Sequence, residues 1–370
     1  MTEFVQQWWC ISCRHSFTFR RSDTRQHFSD VFIKEAVKDF IQGRSSYAVI
    51  KQRKDISLGT LSNWVHQFGN SCMSPVEIAH TLRLHKMNRW SGILLLDGKY
   101  LNKRSVLLLA IDYQTLDIVA HLVAEAETEE NYSKLVDMVE KTGYRVKAVI
   151  SDGEPAILAL TQPKKPPFIR KGTRTYPRPG FPPPKPRLPR LFGIPHQWCS
   201  VHAQRELKGY LSKIARLTRM SEEEVEYIQT LIKGVLFAST LRKAKKSYFL
   251  LLEAMSDKSM VYQQIPRMMH ARWKLLTAHH TIRIGRRKIP RSTNAIENVI
   301  SYVNTRLKTM RKLRTQSSAV PICNLIVVNF RCKPLINTKN KLKRGKSPLA
   351  LAVGKNKRFD WMTFIKKSCP

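Results

Sequence analysis

Acidic residues are scarce in this chain: 27 Asp and Glu stand against 65 Lys and Arg, a formal charge of +38 over 370 residues. A surplus this large concerns partners rather than fold. Nucleic acid, with its dense line of phosphates, is the leading expected partner, and a membrane surface the second. Long apolar runs are also missing. No stretch of about 18 such residues occurs, so no transmembrane helix is expected. The start, Met1-Thr2-Glu3-Phe4, lacks the basic-then-apolar order of a signal peptide. The seven cysteines, odd in number and unevenly spread, argue against a disulfide framework and suit a reducing intracellular compartment.

What is present divides along the chain. Residues 1–28 are short and aromatic and carry one CxxC, Cys10 and Cys13, the spacing of a single zinc knuckle. A ribbon needs a second pair, and the next cysteine is Cys72. His15 and His27 offer a mixed Zn²⁺ site of unconventional spacing, and a plain small hairpin is the other reading. Residues 29–69 read as three short helices. Asp30 is the expected cap of the first, and Phe32, Ile33, Ala36, Val37, Phe40 and Ile41 recur with its period. A second helix covers about 45–54. Ser57 caps a third over 58–68, with Leu61, Trp64 and Val65 inward. Two short helices around a tight turn, the latter rich in small polar residues, suit a helix-turn-helix, which would present Ser57, Thr60 and Asn63 to the major groove. An ordinary helical bundle is the alternative. Residues 70–90 read as a helical linker.

From 91 the pattern changes to strands. Residues 92–96, 105–112 and 117–123 are apolar runs joined by short connections, which predicts antiparallel neighbours. An amphipathic helix is expected over 128–142, a fourth strand over 146–151, and a helix from Pro155. The first and fourth strands each run into Asp-Gly, at Asp97-Gly98 and Asp152-Gly153. Carboxylates in such apolar surroundings are costly unless paired or metal-bound. Residues 163–190 hold ten of the 19 prolines and nine Lys or Arg, with no acid. This segment reads as an extended basic loop, either along a DNA backbone or as a solvated linker. A short fifth strand, 194–199, leads into a helix from Ser200, and 205–290 reads as a helical insertion. A further helix is expected over 291–314, capped at Ser292 or Thr293. Residues 331–370 read as a basic, weakly patterned tail.

Asp97-Gly98, Asp152-Gly153, Cys199-Ser200-Val201-His202 and Ser292-Thr293-Asn294-Ala295-Ile296-Glu297-Asn298 occur in that order. Together they resemble the DDE transposases of prokaryotic insertion sequences and their eukaryotic mutator-like relatives, over roughly residues 90–330. The resemblance implies an α/β, ribonuclease-H-like catalytic domain with a mixed sheet over 91–330, interrupted by the helical insertion and preceded by a partial zinc ribbon and a helix-turn-helix. It implies that Asp97, Asp152 and Glu297 hold two Mg²⁺ or Mn²⁺ ions for strand cleavage and strand transfer on DNA. It makes Cys199, His202 and Asn294 markers that frame the site. Arg306, Lys308, Arg311, Lys312 and, by stacking on an unpaired base, Trp198 become candidate DNA contacts. It also implies the element's terminal repeats and a target as double-stranded DNA partners, a homodimer or larger synaptic assembly, and a cytoplasmic, nucleoid-associated place in a prokaryotic host. Two other activities fit the same residues: a ribonuclease-H-like nuclease that only hydrolyses, and a truncated transposase copy, begun inside its ribbon, that only binds DNA.

Overall fold

The first elements are two short strands, β1 (Gln7–Trp9) and β2 (Ser16–Thr18), paired antiparallel with Gln7 opposite Thr18. The computed structural model describes residues 7–9, 11–12, 14, 16–18, 28–43, 45–162, 188–256, 261–308, 313, 315–336, 338, 340–354 and 357–366. Cys10, Cys13, His15, His27, the loop over 163–187, Arg311, Lys312 and Arg314 lie outside the described residues.

Three capped helices follow. In α1 (Asp30–Ile41) the cap is Ser29, whose hydroxyl accepts from Phe32 N, so Asp30 opens the helix rather than capping it. Its charge there favours the positive helix end. Ser46 caps α2 (Tyr47–Lys54), and Ser57 caps α3 (Leu58–Asn70) as its sequence predicts. The helical period turns Leu61, Trp64, Val65 and Phe68 inward. These helices have no separate core. Their apolar faces join one cluster with Ile93 and Leu95 of the sheet and with Ile322 and Ile326 near the C-terminus. The connection to the sheet contains α4 (Pro75–Thr81), closed by a Ser74–Glu77 capping box.

The central sheet has five strands. A long antiparallel meander supplies β3 (Ile93–Asn102), β4 (Ser105–Asp112) and β5 (Ile118–Ala124). Every residue of β4 is buried, as expected for a strand covered on both faces. The helix α5 (Glu129–Lys141), capped by Thr128, then crosses back so that β6 (Ala148–Ser151) lies parallel to β3, with Leu95 opposite Ile150. After α6 (Pro155–Thr161), β7 (His196–Trp198) adds a parallel edge strand. The order is β5-β4-β3-β6-β7. Strand one thus runs on past Leu96, and Asp97 lies inside β3, opposite Leu109, rather than at its end. The cause is the antiparallel pairing with β4, which continues to Asn102 after β6 has stopped.

Alternation divides the sheet's apolar residues between two cores. Ile93, Leu95, Ala148 and Ile150 face the cluster shared with α1–α3, while Leu94, Leu96 and Val149 face α5 and α6. Between 200 and 281 five helices, α7 (Ser200–Thr218), α8 (Glu222–Leu236), α9 (Leu241–Ser256), α10 (Gln264–Ala271) and α11 (Trp273–Thr281), enclose a third core. A two-residue hairpin, β8 (Arg283–Ile284) and β9 (Arg287–Lys288), leads to α12 (Asn294–Leu307). Among the described residues, no helix is long and apolar enough to cross a membrane.

A largely buried helix, α13 (Gln316–Cys332), packs on α3. The expected tail, 331–370, departs from a weakly patterned segment: α14 (Pro348–Val353) and a 3-10 turn over Trp361–Phe364 return to the same core. Ile365 bridges to Cys72, and Met73 N donates to Phe364 O at 2.8 Å. High Lys and Arg content masked a handful of anchoring apolar residues, Leu349, Trp361 and Phe364. One ion pair joins this region to the sheet: Arg331 Nε lies 2.8 Å from Asp117 Oδ1 and Nη2 3.0 Å from Oδ2, both side chains being buried. Removing one member strands the other charge in the interior. Arg331→Met is expected to lower unfolding free energy by about 3–5 kcal/mol, read as a lower urea midpoint at unchanged m-value. An unchanged midpoint would show that the pair contributes nothing.

Candidate active site

Parallel pairing fixes the level of the two aspartates. Leu95 lies opposite Ile150, so two residues further along both strands the same register brings Asp97 beside Asp152. Alternation gives both the parity of Leu95 and Ile150, the sheet face that α12 packs against. Each Asp is partly buried. Asp97 Oδ1 accepts from the N–H of Gly98 at 2.8 Å, and Asp152 Oδ1 from Glu154 N at 3.0 Å. Burial first, and then the negative charge of Asp152, push the Asp97 carboxyl up from 3.8 to about 7; the Gly98 bond and His202 oppose the rise.

The glycines after the aspartates are required by what approaches them. Gly153 has φ +97, and Trp198 Nε1 donates to the carbonyl of Asp152 at 2.6 Å. A Cβ at 153 would enter the indole, at 2.1 Å from Nε1. At Gly98 the neighbour is a carboxylate: a Cβ would fall 1.9 Å from Glu127 Oε1. Glu127 also accepts from Tyr132 OH at 2.7 Å, and its pKa is raised by burial and by Asp152. Glu154, at the start of α6, is raised by burial, then by Glu127 and Asp152. The sheet end therefore carries more negative charge than the two Asp-Gly pairs suggest. Glu127 was legible in principle, because it follows β5, which runs in the same direction as β3 and so ends at the same edge. Of the other acids near the first strands, Asp112 binds Ser91, Thr115 and Tyr144, and Asp117 binds Arg331.

Glu297 is linked to this edge through a network at two helix starts. Cys199 N donates to Ser151 O at 2.8 Å, and Ser200 N to Arg291 O at 2.9 Å, so α7 begins against β6 and beside the entry to α12. Thr293 is the cap residue of α12, yet its side chain makes no capping bond. Its N–H and hydroxyl each lie 3.3 Å from Cys199 Sγ, and the hydroxyl is 3.4 Å from His202 Nδ1 and 3.5 Å from Glu297 Oε1. His202 Nε2 is 4.0 Å from Glu297 Oε1. Burial opposes ionisation of Cys199, but bonds from His202 and Thr293 outweigh it and bring the thiol down to about 7. The His202 pKa rises, chiefly through its bond with Cys199, with smaller help from Asp152 and Glu297. Cys199, His202 and Glu297 thus meet around Thr293, which sequence reasoning treated only as a cap. Asn294 is the exposed first residue of α12 and lies outside this network.

Two candidate DNA contacts are corrected. Trp198 is 1% exposed, tied to Asp152 and covered by the Arg272 guanidinium at 4.7 Å, so no base can stack on it. Arg306 is 2% exposed, donates to Gln42 O at 3.4 Å and lies 5.1 Å from the Tyr302 ring centroid, which ties α12 to the end of α1. Lys308, Ser57 and Asn63 are exposed and Thr60 is half-buried, with the Ser57 and Thr60 hydroxyls 2.9 Å apart. Among the described residues, no group of three His, Cys, Asp and Glu stands close enough to hold one ion. The Glu297 carboxylate is turned toward Thr293 and His202.

The raised Asp97 pKa has a consequence for stability. Below 3.8 Asp97 is protonated whether folded or unfolded. Between 3.8 and about 7 the unfolded chain releases the proton while the folded chain keeps it, so stability falls as pH rises through this window and then levels off. Asp97→Asn removes that loss. The variant is expected to be more stable than the parent at pH 8, by up to about 4 kcal/mol, with the difference vanishing near pH 4 in urea melts. A parent curve without this fall would contradict the raised Asp97 carboxyl that burial and Asp152 produce. Scanned against models of known protein families the chain matches none, and a search of curated proteins finds no match.

Proposed function

We propose that the chain is a transposase of the DDE class, cutting and joining DNA strands through Asp97, Asp152 and Glu297. The observation that carries this reading is the register of β3 and β6, which sets two carboxylates side by side on the face bearing Glu297. The strand order, three antiparallel strands flanked by two parallel ones, supports a ribonuclease-H-like domain, with the helices over 200–281 as an insertion before Glu297. The charge of +38 supports DNA as the substrate.

The donor chemistry fits a hard divalent cation. Carboxylate oxygens suit Mg²⁺ or Mn²⁺, and burial together with repulsion from Asp152 holds Asp97 near pH 7, a cost that a cation would relieve. Asp97 and Asp152 would hold such ions, with Glu297 as the third donor. When bound, they would activate the attacking hydroxyl and stabilise the departing 3′-oxygen. The protein's own groups do the rest. Thr293 and His202 orient Glu297, the indole of Trp198 fixes the backbone at Asp152, and Gly153 keeps that contact open. The exposed face of α3, with Ser57, Thr60 and Asn63, would read bases in the major groove, and Lys308 would hold phosphate. Paired DNA ends in one synaptic complex would require at least two copies of the chain.

Strand joining tests this reading and separates it from hydrolysis alone. Duplex ends taken from the DNA flanking the coding sequence, incubated with Mg²⁺ and a target plasmid, are expected to give joined product. Asp97→Asn and Glu297→Gln should each reduce joining more than about a hundredfold, beyond what loss of a merely supporting residue costs. Cleavage without joining would favour a nuclease. Full activity in chelator, or in Asp97→Asn, would end the proposal.

A further inference from the structure

We propose that the cavity between α9, α10 and α11 binds unpaired nucleotides of the strand being processed, an inference that rests on the DNA-cutting function proposed above. The cavity encloses about 1240 Å³. That exceeds the roughly 300–1,000 Å³ typical of a single small-molecule site and suits a short run of nucleotides. Its wall combines two chemistries. Phe249, 64% exposed, and the half-buried Trp273 offer aromatic surface, while Tyr248 is anchored beside Trp273 by its hydroxyl, 3.2 Å from Pro266 O. Around them stand Lys245, Arg267 and Lys274, all exposed and none in an ion pair among the described residues, against one lining acid, Glu253.

Aromatic faces beside cations that have no ion-pair partner among the described residues match bases and phosphates of a single strand. A duplex keeps its bases stacked on each other and would leave Phe249 without a partner. An apolar helix would leave the cations without counter-charge. The cavity is linked to Asp152 through two side chains. Arg272, on its wall, covers the Trp198 ring at 4.7 Å, and Trp198 Nε1 holds the Asp152 carbonyl at 2.6 Å. The aromatic residue expected to meet an unpaired base is buried as the wall between the two sites, and Phe249 presents the open ring.

The test uses the full chain carrying Asp97→Asn, in chelator, so that binding is read without cleavage. The probes are a blunt duplex and the same duplex with a three-nucleotide single-stranded tail containing 2-aminopurine. Tail emission is expected to be quenched on binding. Phe249→Ala should weaken tailed DNA about fivefold or more and leave the blunt duplex unchanged; Phe249 is exposed, and an unchanged thermal melt separates this loss from a folding defect. Lys245→Ala should lower the salt dependence for the tail by about 0.7 in log–log slope. Unquenched emission, or equal effects of Phe249→Ala on both probes, would overturn the proposal. Loss of self-association with tail binding intact would assign the cavity to a second copy and overturn it as well. Absence of strand joining elsewhere would leave this result standing, whereas absence of any DNA binding would remove both readings.

Discussion

The parallel pairing of β3 with β6 is the constraint on which the rest depends. Two neighbouring strands running in one direction, with Leu95 opposite Ile150, leave Asp97 and Asp152 level with each other where β6 stops. No surface salt bridge neutralises them among the described residues. The molecule tolerates the repulsion because the meander of β3, β4 and β5 and the two cores on either side of it hold the backbone in place. Burial first, and then Asp152, raise the Asp97 carboxyl to about 7. Carboxylates perturbed in this way are common at functional sites.

The helices serve the same edge. Thr293 gives up capping α12 and instead joins Cys199, His202 and Glu297. The backbone of Cys199 hangs on Ser151, one residue before Asp152. On the far side, Ser151 Oγ and Thr161 Oγ1 clamp His196 at 2.9 and 2.7 Å, and burial lowers that imidazole to about 3, so it stays neutral and structural. Elements separated by more than a hundred residues are therefore linked within a few hydrogen bonds of the carboxylates. The C-terminal region adds a second closure, since α13 and the turn at Trp361 share the core of α1–α3.

Much of this was legible in the residues. Apolar runs and short connections gave the meander, with Ser105–Asp112 bounded correctly, and the likeness to a ribonuclease-H-like order implied that strand four would lie beside strand one. Asp97 and Asp152 stood out as carboxylates following apolar runs, whereas Cys199, His202 and Glu297 were named through the resemblance. What could not be read was which neighbour each helix face would meet. Arg306 sits in a basic run and looked like a phosphate contact, yet tertiary packing buries it on Tyr302. Trp198 looked available for stacking until the turn at Gly153 drew it inward. Glu127 stands outside any Asp-Gly frame, although the common direction of β3 and β5, readable from the meander, brings it to Gly98. The C-terminal anchors were too few and too widely spaced to show a period.

The central claim is that the two in-register carboxylates and Glu297 together bind divalent cations. Its most direct test is titration of Mn²⁺ into the apo protein, with free Mn²⁺ followed by electron paramagnetic resonance. The account predicts saturable loss of the free-ion signal in the parent, weakened at least about tenfold in Asp152→Asn and in Glu297→Gln. Equal Mn²⁺ uptake by the parent and both variants would contradict it.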